Sequence, residues 1–220
     1  MIKAVLFDLD GTLVDSLKDL ADSVNFALEK NGFPTHSLDK FNYFVGDGMV
    51  KLIERALPQN TDNKTFQKVF NRYINHYKEH FTDSTLPYEG IIDLLNDLKN
   101  ADIKLAVVSN KSHEMTLKVI DKYFSDTFDY VTGKKDGYPT KPDPKLTNMV
   151  MDSLGVRNSE CVFIGDSGMD MAVAKNADCL GIGVSWGFRP TEELIENGAD
   201  YIVNSPSQIL DIIKDLNNEI

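Results

Sequence analysis

The chain has 220 residues, of which 42% are hydrophobic and 26% charged, a balance that predicts a soluble globular fold of one or two domains. Thirty-four acidic residues against 23 basic ones leave a net charge of −11, which argues against a nucleic-acid partner and favours metal cations. Cys161 and Cys179 form no CxxC pair, so a disulfide framework and a cysteine-rich zinc module are both excluded.

The N-terminus, MIKAVLFDLDG, carries an apolar run too short for a signal peptide, and no segment reaches the roughly 20 apolar residues of a membrane span. A cytoplasmic protein without a membrane partner is expected. Nothing in the sequence selects between monomer and homodimer.

The first predicted strand is KAVLFD (3–8). Residues 15–83 then read as helix throughout: Leu17, Leu20, Val24, Ala27 and Leu28 form one stripe, stopped by Asn31-Gly32 and Pro34. Val50, Ile53 and Leu57 form a second. Phe66, Val69, Phe70, Tyr73, Tyr77 and Phe81 form a third, aromatic stripe, read as the core of a small helical bundle rather than a ligand box. From residue 88 onward strands and helices alternate. IKLAVVS (103–109), CVFIGD (161–166) and LGIGVS (180–185) are continuous apolar runs, as parallel strands covered on both faces require. FDYVTG (128–133) and YIVN (201–204) are weaker strand candidates, and Ile91/Leu94/Leu95/Leu98 and Leu146/Met149/Val150/Leu154 mark two helices. The fold class is therefore α/β, a parallel sheet with a helical insertion after the first strand.

In such a sheet, ligands bind beyond the carboxyl ends of strands, where Asp8 and Asp10 stand ahead of Gly11 and Thr12. Two carboxylates this close need a proton or a cation between them, and Mg²⁺ is the hard oxygen-seeking ion that suits them. The alternative is that Asp10-Gly11 is merely a turn and Asp8 a cap. Ser109 and Asn110 end a second strand with groups suited to phosphate oxygens. Lys141 precedes Pro142 in a turn ahead of a helix, as a point charge for an anion or as a plain exposed lysine. Gly165-Asp166-Ser167 ends a further strand, with Asp170 four residues beyond Asp166, which could also be a helix N-cap. Gly46-Asp47-Gly48 opens a helix and offers backbone amides to an anion, or is only an inter-helix turn capped by Asp47.

Together, Asp8-Leu9-Asp10-Gly11-Thr12, Ser109-Asn110-Lys111, Lys141-Pro142 and Gly165-Asp166-Ser167-Gly168-Met169-Asp170 resemble the motif set of the haloacid dehalogenase superfamily of phosphatases. The resemblance spans essentially the whole chain. It implies a doubly wound, Rossmann-like core (1–14 and 84–220) with a small α-helical cap domain (15–83). It further implies Asp8 as nucleophile, Asp10 as general acid and base, and Mg²⁺ held by Asp8, Asp166 and the carbonyl of Asp10, with Asp170 supporting the metal shell. Ser109, Asn110, Lys141 and the amide of Gly11 would hold the phosphate.

VGDGxxxLIERAL and the stretch GVSWGFRPTEELIENGADYIV are similar to phosphoglycolate phosphatases, which implies a small phosphorylated metabolite, 2-phosphoglycolate, with Gly46, Asp47 and Gly48 setting specificity. Ala177-Asp178 departs from the usual Ala-Gly of these relatives, and the lysine-rich stretch before Lys141 is also unusual. Alternatives are a pyrophosphatase, a sugar-phosphate phosphatase or a β-phosphoglucomutase of the same fold, and, outside that class, a non-catalytic phosphate-sensing module. His76 and His80 share a helix face but lack the HExxH order and a third ligand, so a solvated cap face is expected there. His36 and His113 have no partner suggesting a nucleophilic dyad, Arg55 receives no role, and Trp186 is expected to pack.

Overall fold

The computed structural model describes residues 1–218. Strand β1 (Ala4–Phe7) runs through a tight turn into β2 (Val14–Asp15). Four helices follow: α1 (Leu17–Glu29), α2 (Leu38–Phe44), α3 (Met49–Ala56) and α4 (Asn63–His80). A second short strand, β3 (Leu86–Pro87), returns antiparallel to β2, with Val14 opposite Pro87, and closes the base of the helical excursion. The chain then alternates through α5 (Ile91–Asn100), β4 (Lys104–Ser112), α6 (His113–Phe124), β5 (Tyr130–Lys134) and α7 (Lys145–Leu154). It continues through β6 (Cys161–Gly165), α8 (Gly168–Asn176), β7 (Leu180–Val184), α9 (Thr191–Glu196), β8 (Tyr201–Val203) and α10 (Pro206–Asn218).

Six strands form one sheet in the order β5-β4-β1-β6-β7-β8, parallel throughout. Central β1 pairs with β4 on one side and β6 on the other, Phe7 opposite both Val107 and Ile164. The strand order turns outward in both directions from β1, so a crevice opens above its carboxyl end. The continuous apolar runs follow from burial on both faces. Val5 and Phe7 pack with Leu94 and Leu98 of α5, Val119 of α6 and Ile209 of α10, while Ala4 and Leu6 face Leu146 and Val150 of α7 and Val173 of α8. This is the expected doubly wound α/β fold. Among the described residues no helix is long and apolar enough to cross a membrane.

The insertion builds a hydrophobic cluster of its own, from Leu20, Val24 and Leu28 of α1, Phe41 of α2, Ile53 of α3, and Val69 and Tyr73 of α4. Two details differ from the stripes read in the sequence. Helix α2 lies in the stretch read as helix but no stripe marked it; of its seven residues only Phe41 is fully buried, with Phe44 packed partly buried beside it. In α3 the inward face is Leu52, Ile53 and Ala56, whereas Val50 is exposed. The unusual Asp178 adopts a left-handed conformation (φ 53°) just after α8, where glycine is favoured and a short polar side chain is tolerated.

The passage between insertion and sheet is held by Asp19 of α1, buried at 2% exposure. Its carboxylate accepts from the amides of Ser84 (2.9 Å) and Thr85 (2.8 Å) and from the Thr85 hydroxyl (2.7 Å). Asp19→Ala strands three donors, so urea unfolding is expected to show a loss of about 3 kcal/mol. A loss below about 1 kcal/mol would contradict this account of the junction.

Candidate active site

Above β1 the backbone bends sharply. The amide of Asp8 still donates to Ile164 of β6 (2.9 Å), after which Leu13 donates back to Leu9 (2.9 Å) and Gly11 to Val14 (2.9 Å). Gly11 has φ +87°, and a Cβ there would lie 2.3 Å from Asp166 Oδ2. A side chain at this position would therefore displace the carboxylate from β6. The Gly11 amide donates within the turn, and its missing side chain leaves Asp166 room for close approach.

Asp8, Asp166 and Asp170 each place a carboxylate oxygen within 4.8 Å of the others. Lys141 enters the group from the loop before α7, its ammonium 2.8 Å from Asp8 Oδ1 and 2.6 Å from Asp170 Oδ1. The other oxygen of Asp170 accepts from the Ser167 amide (3.0 Å) and hydroxyl (2.6 Å), capping α8. Asp170 thus anchors Lys141 to a helix N-terminus. Asp166 accepts from Thr12 Oγ1 (3.3 Å) and from the Phe188 amide (2.8 Å). Trp186, expected only to pack, also donates to the Thr12 carbonyl (3.1 Å), so the loop after β7 braces the turn from behind.

Three buried carboxylates face one ammonium, and the charges show it. Burial raises Asp8 to about 6 against the pull of Lys141, with Asp170 pushing the same way. Burial and the charges of Asp170 and Asp8 hold Asp166 well above the ordinary carboxylate range. Burial would lower Lys141, but Asp170 and Asp8 outweigh it and raise the ammonium to about 12. An excess of hard, crowded oxygen donors is the set a divalent cation such as Mg²⁺ relieves, so these residues fit the expected metal.

Asp10 stands apart from this cluster. Its carboxylate receives both of its oxygens' contacts from the Lys111 ammonium (2.9 and 3.0 Å) and a further bond from Ser16 (2.6 Å). Lys111 also donates to the hydroxyl of Tyr77 on α4 (2.7 Å). Sequence reasoning gave Lys111, Tyr73, Tyr77 and Arg189 no part in the site, yet all four line the same small cavity, about 50 Å³, with Asp8, Asp10 and Asp166. The available signals were a lysine directly after Ser109-Asn110 and tyrosine rather than phenylalanine at two core-facing positions of α4.

Ser109 lines this cavity, as do Gly46 and Gly48. Asn110 bridges two elements. Its side-chain amide donates to the Gly46 carbonyl (3.0 Å), and its oxygen accepts from the Lys141 amide (2.9 Å), joining the insertion to the lysine loop. Asp47 turns its carboxylate to Arg55, which also donates to the carbonyls of Tyr43 (3.3 Å) and Phe44 (3.1 Å). Arg55 therefore shapes the glycine turn. Arg189 donates to the Val45 carbonyl (3.2 Å) and lies 5.1 Å from the Tyr43 ring centroid, a second tie across the cleft. His76 and His80 stack at 4.1 Å; His76 contacts Ser23 and His80 pairs with Asp83.

Residues 5–184 match the family model described as haloacid dehalogenase-like hydrolase. A phosphoglycolate phosphatase of Chromobacterium violaceum is 32% identical, with 97% of each chain covered. A phosphoglycolate phosphatase of Vibrio parahaemolyticus is 30% identical over 96% of each chain. The crystal structure of a predicted phosphoglycolate phosphatase from Haemophilus somnus 129pt superposes with a TM-score of 0.90, at 27% identity, covering 96% of this chain and 98% of that one.

The raised carboxylates carry a stability consequence with a definite sign. Asp8 has a folded pKa of about 6 against an ordinary 3.8, so the stability it contributes is complete below the lower value and lost as pH rises through the higher. Asp166 shifts in the same direction. In EDTA, thermal melts are expected to fall across this window, and Asp166→Asn to flatten that fall. A variant with the same slope as the native protein would contradict the electrostatic picture.

Proposed function

The chain belongs to the haloacid dehalogenase-like hydrolase family and is a phosphatase; on that premise we propose that it hydrolyses 2-phosphoglycolate to glycolate and phosphate through a phosphoryl group carried on Asp8. The carrying observation is the division of labour between the carboxylates. Asp8 sits with Lys141 against Asp166 and Asp170, while Asp10, two residues on, is held separately by Lys111 and Ser16.

In this reading a carboxylate oxygen of Asp8 attacks phosphorus, an acyl phosphate forms, and the bond from phosphorus to the ester oxygen breaks. Asp10 gives its proton to the departing alkoxide, then takes one from the water that attacks phosphorus and restores Asp8. Lys111 and Ser16 hold that carboxylate in one orientation, so the proton moves along a fixed line. We assign the Ser109 hydroxyl and the Lys141 ammonium, which Asp8 and Asp170 hold in place, to the phosphoryl oxygens, as fixed donors where charge develops. Asp8, Asp166 and the Asp10 carbonyl would hold Mg²⁺, with Asp170 supporting. When bound, the ion neutralises charge on the transferring phosphoryl group.

The substrate assignment draws on the names of the relatives, on the small cavity and on the helical insertion over it. We take residues 15–83 as a cap on a core formed by 1–14 and 84–220. The insertion's α3 and α4 line the same small cavity as Asp8, an enclosure that supports a compact leaving group.

The test is phosphate release from a panel of esters and pyrophosphate, with Mg²⁺ or EDTA. Release is expected to peak at 2-phosphoglycolate, to vanish in EDTA, and to fall at least about 1000-fold in Asp8→Asn, the scale of losing a nucleophile. A maximum on another ester would overturn the substrate, and Mg²⁺-independent release the metal.

A further inference from the structure

Helix α4 places Tyr73 and Tyr77 on one face, one turn apart, with their rings stacked at 5.7 Å and 11°. Both are buried, at 0% and 2% exposure, and both line the cavity that holds Asp8 and Asp10. The Tyr73 hydroxyl has no hydrogen-bond partner among the described residues. The Tyr77 hydroxyl accepts from the Lys111 ammonium (2.7 Å), which leaves its own proton to be donated elsewhere. Packing alone would be served equally by phenylalanine, which carries no hydroxyl to desolvate.

These two hydroxyls therefore bring two donors and a neighbouring cation to one wall of the cavity. Burial pushes both phenols well above their ordinary value, so they remain neutral donors at any working pH. Donors without acceptors, beside a lysine, match an anionic ligand group and mismatch another donor. The position is also specific. Asp10, Lys111 and Tyr77 form one chain of contacts, 2.9 Å and then 2.7 Å, leading away from the residue assigned to the leaving oxygen. In 2-phosphoglycolate the carboxyl carbon lies two bonds beyond that same oxygen.

We propose that Tyr73 and Tyr77, backed by Lys111, form the specificity site for the leaving group and donate to its carboxylate. This inference rests on the substrate reading above. It also moves the carboxylate contact from the turn at Gly46, Asp47 and Gly48, where the Gly46 carbonyl faces Asn110 and the Asp47 carboxylate faces Arg55, to the aromatic face of α4.

The test compares kcat/KM for 2-phosphoglycolate with that for ethyl phosphate, a neutral-tailed ester of similar size, in the native enzyme, Tyr73→Phe, Tyr77→Phe and the double variant. The ratio is expected to fall about tenfold in each single variant and further in the double, chiefly through KM for 2-phosphoglycolate. Thermal melts supply the second readout: Tyr73→Phe deletes an unpaired buried hydroxyl, so its melting temperature is expected to be unchanged or higher. If the native enzyme prefers 2-phosphoglycolate and the variants keep that preference, the inference is overturned and the substrate reading stands. If the native enzyme shows no such preference, both are overturned. A lowered melting temperature with equal losses on both esters would show a packing role and overturn the inference alone.

Discussion

The Lys141 ammonium, wedged between Asp8 and Asp170 at 2.8 and 2.6 Å, is the contact on which the rest of the site depends. A parallel sheet brings strand ends together, and here the ends of β1 and β6 bring carboxylates with them. Buried like charges repel strongly, and a single lysine offsets only part of that repulsion. The surroundings show what holding them together requires. Gly11 lacks a side chain because Asp166 occupies the space; Gly187 does so for the same reason, since a Cβ there would meet Asp166 Cβ at 2.1 Å. Asp170 is fixed by the first turn of α8, so the lysine has a rigid anchor rather than a mobile partner.

The insertion is tied to this centre at several points of different chemistry. Asp19 binds the returning chain at Ser84 and Thr85, Ser16 binds Asp10, and Lys111 reaches from β4 to Tyr77. On the far side Asn110 and Arg189 take the carbonyls of Gly46 and Val45. The groups contacting the insertion are thus neighbours in sequence of the groups around Asp8, Ser109 beside Asn110 and Lys111 above all.

The sheet was legible because a strand buried on both faces must be apolar without interruption: four such runs and two weaker candidates, FDYVTG and YIVN, became the six strands of one sheet. Strands β2 and β3, two residues each, are too short to leave a pattern, and α2 has only Phe41 fully buried. Asp8, Asp10, Ser109 and Asp166 stand at or just beyond strand ends and Lys141 in the turn before α7, and it was their combination as a motif set, not any one of them, that marked the candidate site. Which of them would touch was not written locally: Lys111 and Asp10 are 101 positions apart, and Lys141 and Asp170 meet across 29. Tyr73 and Tyr77 were hidden for another reason. A periodicity argument counts tyrosine as apolar, so the ring was read correctly as core while the hydroxyl it carries into the cavity went uncounted.

The account stands or falls on whether Asp8 carries the phosphoryl group. Borohydride added during turnover of 2-phosphoglycolate with Mg²⁺ reduces an aspartyl phosphate to homoserine, and peptide mass spectrometry locates the change. The account predicts homoserine at position 8 alone, formed only when substrate is present. Phosphate release with Asp8 unmodified, or homoserine at another aspartate, would contradict it.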